Sequence, residues 1–127
     1  MPYLCPVCQA PDSLKCDYSI ELPPAFFADE YSVAVVECLS CRFRGATTCR
    51  ESRWGSLDSE SVSYLCHQVA EADLERLVAL IRECSDPANR RCQCRSHQQL
   101  AVTNAAGAYD LTLIMPVTQT FEMTYRR

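Results

Sequence analysis

The residues of this chain best placed to do chemistry are its ten cysteines in 127 residues, and their spacing sorts them. Cys5-Pro6-Val7-Cys8 and Cys38-Leu39-Ser40-Cys41 each leave two residues between thiols. That interval lets a tight turn aim both sulfurs at one ion, and two such turns supply the four thiolates of a closed tetrahedral site. Further along, the stretch "NRRCQCRSHQQL" contributes Cys92, Cys94 and His97, with Cys84 just upstream. Three cysteines and a histidine are also a structural zinc set, and the turn Asp86-Pro87-Ala88-Asn89 can fold the chain back to gather them. Other uses of this second group stay open. Cys66 can replace Cys84 or His97, four thiolates can hold an iron–sulfur cluster, and a zinc with water in place of one ligand would be catalytic. The bland alternative is buried thiols acting as small hydrophobes.

Which use wins depends on the redox compartment. The N-terminus "MPYLCPVC" has neither a charged n-region nor an apolar h-region, and no apolar run approaches the ~18 residues that span a bilayer. A cytoplasmic location is therefore expected, where thiolates bind metal more readily than they form disulfides. The first CxxC read as a thioredoxin-type redox pair would need a helix to begin at the cysteines, and strands are expected there instead.

The elements that must position these ligands follow from periodicity. "KCDYSIEL" alternates Cys16, Tyr18, Ile20 and Leu22 against Lys15, Asp17, Ser19 and Glu21, the pattern of a half-buried strand. On this reading Cys16 faces the core. Pro23-Pro24 ends the strand, "EYSVAVVEC" leads into the second cysteine pair, and "FRGATTCRE" reads as a third strand. Two knuckles joined by a long hairpin and followed by a return strand resemble a zinc ribbon. More narrowly, CPxC, the "I-x-L-P" turn and "ECxxCxFR" are similar to zinc-finger modules of the ZPR type, over residues 1 to about 53. The resemblance implies a zinc ion on Cys5, Cys8, Cys38 and Cys41, and it implies no partner. Arg42 stands where those modules usually carry a glycine.

After the loop around Gly55, "SYLCHQV" is a short strand, and "EADLERLVALIREC" places Leu74, Leu77, Val78 and Ile81 on one stripe of an amphipathic helix. Glu71 and Asp73 in its first turn and Arg82 in its last suit the helix dipole, and the stripe is expected to cover one face of the sheet. A thiolate at Cys66 beside His67 would be a nucleophile with a base, but neighbours on a strand point to opposite faces. Cys16, Cys49 and Cys66 are left over from the two ligand sets. Near the C-terminus, Leu111, Leu113 and Met115 alternate, as do Phe121, Met123 and Tyr125, with Pro116 between them. They predict a β-hairpin, and its edge is a candidate surface for a homodimer.

The formal charge of −4 argues against sequence-independent coating of nucleic acid. A local patch of Arg42, Arg44, Arg50, Arg53 and Trp54 remains a candidate nucleic-acid surface, because arginines interleaved with aromatics can hold phosphates and stack bases. The zinc deaminase pattern, HExxH and glycine-rich phosphate loops are all absent from the sequence. The expectation is an α+β protein with a zinc ribbon over 1–53. The helix, the second cysteine-rich loop and the C-terminal hairpin would fill 54–127. Its function would be zinc-stabilised, non-enzymatic binding to a protein partner. Nucleic-acid binding is the first alternative, and a metal-dependent enzyme or redox centre at Cys84, Cys92, Cys94 and His97 the second.

Overall fold

The computed structural model describes residues 3–23, 30–52 and 61–123. Its strands are Leu14–Leu22 (β1), Glu30–Cys38 (β2), Arg44–Ser52 (β3), Ser61–Val69 (β4) and Val117–Glu122 (β5). Helix α1 spans Glu71–Glu83, a short α2 spans Arg95–Leu100, and Leu111–Leu113 form one 3-10 turn. The strands lie in sequence order in one five-stranded sheet, each antiparallel to the next. The fold is thus α+β, with one main helix on an antiparallel sheet. Among the described residues no helix is long and apolar enough to cross a membrane.

Alternation gives the sheet two distinct apolar faces. On one, Ile20, Leu22, Tyr31, Val33, Val35 and Ala46 meet Leu74, Leu77, Val78 and Ile81 of α1, the stripe expected from the sequence, and Leu80 beside it. The other face gathers Tyr3, Cys5, Leu14, Val36, Cys38, Cys66 and Met123, with Phe43, Tyr64 and Phe121 at its margin. The first cysteine group is built into this second, smaller cluster.

Two sequence expectations fail for local reasons. Cys16 is exposed rather than buried, because β1 carries a bulge between Cys16, opposite Val36, and Tyr18, opposite Val35. One extra residue moves Cys16 onto the face opposite Ile20 and Leu22. The C-terminal hairpin does not form either. Leu111 and Met115 are buried while Leu113 between them is 51% exposed. That is helical spacing read as alternation. The Asp110 carboxylate accepts from the Thr112 N–H at 3.0 Å and starts the 3-10 turn, and the Met115 N–H donates to the Leu111 carbonyl at 3.1 Å. Only β5 is a strand, and it pairs with β4 as the last strand of the main sheet. Tyr125 lies outside the described residues.

Candidate metal centres

The first centre is assembled by two like turns. At each, the residue after the second cysteine has left-handed backbone, Gln9 at φ 62° and Arg42 at φ 69°, and its N–H returns to the carbonyl of the first cysteine, Gln9 to Cys5 and Arg42 to Cys38, both at 2.9 Å. This conformation favours glycine, so the Cβ at Arg42 is strained. The second turn is tied down further by the Cys38 N–H on the Phe43 carbonyl at 2.7 Å and the Leu39 N–H on the Ser13 carbonyl at 2.8 Å. Backbone N–H groups also point at the sulfurs, from Val7 to Cys5 Sγ and from Cys41 to Cys38 Sγ, each at 3.4 Å.

These turns bring the four sulfurs together, Cys5 to Cys41 and Cys8 to Cys38 at 3.7 Å. All four lie within 4.8 Å of one another and can hold a metal ion. A disulfide would require about 2.05 Å between sulfurs. Without an ion the thiols are unequal. Burial drives Cys5 up to about 12. At Cys38 burial also pushes upward, but hydrogen bonds from the Cys41 and Ser40 N–H groups, together with hydrogen bonding to the Ser13 hydroxyl, outweigh it and bring the thiol down to about 6. The Ser13 hydroxyl, 3.3 Å from Cys38 Sγ, is a neighbour that no cysteine spacing could announce.

The second centre uses different parts. Cys84 closes α1, its N–H reaching the Ile81 carbonyl at 3.2 Å. Two successive turns, with the Asn89 N–H on Asp86 and the Cys92 N–H on Asn89, both at 3.1 Å, reverse the chain. Cys94 is then the N-cap of α2, its sulfur accepting from the His97 N–H at 3.4 Å. Cys94 and His97 thus stand at N-cap and N3, the spacing that brings a capping side chain onto the third helical residue. His97 is 1% exposed. Its Nδ1 lies 3.4 Å from Cys84 Sγ and 3.2 Å from Cys94 Sγ, while Cys84 and Cys92 are 3.9 Å apart. Its Nε2 is 2.9 Å from the Glu21 carbonyl on β1. With a carbonyl as partner Nε2 must carry the proton, which leaves Nδ1 facing the thiols as a ligand. These four residues also converge within 4.8 Å and can hold a metal ion. Burial raises Cys84 to about 11, whereas interactions led by the His97 backbone N–H on its sulfur lower Cys94 to about 6.

Cys66 belongs to neither set. It is fully buried in the cluster on the opposite face from α1, and burial pushes its thiol to about 12. It therefore does not substitute for Cys84 or His97. His67 points to the other face, between the hydroxyls of Thr48 and Thr120, each at 3.0 Å. Thiol and imidazole do not meet. Cys49 is half-buried, and burial raises it to about 11. The described arginines of the candidate nucleic-acid patch, Arg42, Arg44 and Arg50, are engaged within the protein. Arg44 is held by Glu71 and by Glu75, the latter at 3.0 Å, Arg42 lies 3.6 Å from Glu37, and Arg50 sits 5.8 Å over the Tyr31 ring. Arg53 and Trp54 lie outside the described residues.

Compared with protein-family models, with curated proteins and with solved structures, the chain matches none. What it does must be read from the two centres themselves.

Proposed function

We propose that this is a zinc-stabilised, non-enzymatic binding protein in which both centres are structural. The observation that carries the reading is closure: each group offers four protein donors around one point, which fills a tetrahedron and leaves no position for water or substrate. Zinc is the ion these donors suit best, since four thiolates or three thiolates with an imidazole are its usual structural sets. A tetrahedral zinc with Zn–S near 2.3 Å separates two sulfurs by about 3.8 Å, and with Zn–N near 2.0 Å it separates sulfur from nitrogen by about 3.5 Å. The sulfur pairs at 3.7 and 3.9 Å and the sulfur–nitrogen pairs at 3.4 and 3.2 Å agree with that geometry.

A structural role follows from size as well as from ligands. In a chain this short, the large apolar side chains buried on the face that carries the first centre are Tyr3, Leu14, Val36 and Met123 among the described residues, with Phe43, Tyr64 and Phe121 only partly buried. Metal binding supplies folding free energy that such a cluster lacks. The product is a rigid framework of turns and strands that can hold recognition groups in place.

The deciding measurement is metal content with coordination. Freshly purified, reduced protein should carry two zinc ions per chain. Its cobalt-substituted form should show one all-sulfur and one sulfur–nitrogen tetrahedral spectrum. A chain that stays folded without stoichiometric metal, or whose thiols prove bridged to one another, overturns the proposal.

A further inference from the structure

The outermost strand of a sheet presents unpaired backbone N–H and C=O groups that invite another strand to add. At Glu21 of β1 both groups are already used, and by the same segment. Its N–H donates to the Pro87 carbonyl at 2.8 Å, and its carbonyl accepts from His97 Nε2 at 2.9 Å. The side chains repeat the arrangement, since Arg90 holds Glu21 at 3.1 Å and Glu30 at 2.9 Å. Pro87, Arg90 and His97 lie in the stretch bounded by the ligands Cys84 and His97.

That stretch has little order of its own. It consists of two turns and the beginning of a six-residue helix, and a helix so short is unstable in isolation. What fixes it is the four-donor group on one side and β1 on the other. His97 is common to both, with Nδ1 toward the thiols and Nε2 on the Glu21 carbonyl.

We infer that the second metal centre is the latch of a guarded sheet edge: metal binding by Cys84, Cys92, Cys94 and His97 and closure of residues 85–97 over β1 are one equilibrium. The inference rests on the reading that this group holds a metal. Because coupling is reciprocal, the contacts at Glu21 and Glu30 raise the affinity for the ion, and the ion raises the occupancy of those contacts. Loss of the ion bares the Glu21 edge and makes β1 open to strand addition. Arg90 is then a positioning residue for a metal it does not touch.

Two measurements on the full chain test this. In the zinc-loaded protein the Glu21 amide should be protected from hydrogen exchange. In Cys92→Ala with the first centre still loaded, it should exchange about tenfold faster or more, while the β3 amides keep their protection. Arg90→Met leaves every ligand in place and keeps the test valid if the cysteine variant does not fold. Competition with a chromophoric chelator should show its second zinc bound about 10–100-fold more weakly, as for loss of an outer-shell partner, with the first zinc unchanged. Equal Glu21 protection with and without metal, or an unchanged second affinity in Arg90→Met, overturns the coupling while leaving a two-zinc protein intact. A wild-type chain that carries no metal at the second group overturns the metal reading, and the latch with it.

Discussion

At Cys5, Cys8, Cys38 and Cys41 the donors come from two like turns, each with its own left-handed residue and its own hydrogen bond back to the first cysteine. At Cys84, Cys92, Cys94 and His97 they come from a helix end, a pair of turns and a helix cap. The first group is a local device repeated, and its turns keep their shape largely through contacts a few residues away. The second is a tertiary device, whose histidine is oriented by a strand 76 positions earlier in the chain. They also differ in their surroundings. The first sits in the smaller apolar cluster, and the second abuts the larger one, where Cys84 packs with Leu77, Ile81 and Leu100.

The contrast can be broken at the ligands themselves. Cys38→Ser should release the first ion and cost on the order of 5 kcal/mol or more, because structural zinc contributes ~10 kcal/mol or more to small domains. Cys94→Ser should release only the second ion and cost less, since the α1 core remains. Urea unfolding with metal analysis checks both, and equal losses would show that the clusters do not differ in their reliance on metal. A smaller effect is expected beside the first centre. A methyl group at Gly45 would meet Cys66 Sγ at 2.7 Å and Phe43 at 2.9 Å. Gly45→Ala should therefore destabilise by about 1–3 kcal/mol through overpacking and weaken the first ion more than the second. A uniform weakening would mean the two faces are mechanically joined.

The pH dependence separates protein from ligand titration. Burial holds the His67 pKa below the ordinary 6.5, only partly offset by Asp110, so in that interval the unfolded chain binds more protons than the folded one. Stability should be full above 6.5, fall as pH drops from there through the lowered folded value, and flatten below it. Subtracting the curve of His67→Gln from that of the wild type, by thermal unfolding, should isolate this component from proton competition at the thiolates. A difference curve without slope would refute it. The smallest expected effect is a gain. Arg42→Gly removes the Cβ from a left-handed position at the loss of one exposed pair with Glu37, and should stabilise by up to about 1 kcal/mol.

Much of this molecule was legible where short-range physics decides. The strands read over 15–22, 30–38 and 43–51 and the helix read over 71–84 follow from side-chain pattern, and they appear within one residue of those bounds, over 14–22, 30–38, 44–52 and 71–83. Reading failed where one residue changed the phase. The bulge at Cys16–Tyr18 turned Cys16 outward, and Leu111 and Met115 satisfy strand and helical spacing alike until Asp110 caps the turn.

The sequence by itself determined which side chains can gather around an ion, because ligand type and the reach of a turn are properties of a few consecutive residues. Only the tertiary structure decided that Cys66 packs in the cluster of the first centre yet belongs to neither ligand set. It alone decided that Arg44 spends its charge on α1 and that a β1 carbonyl orients His97. Those outcomes depend on which strand lies beside which and on where each helix lands, distances that residues far apart in the chain share only once it has folded.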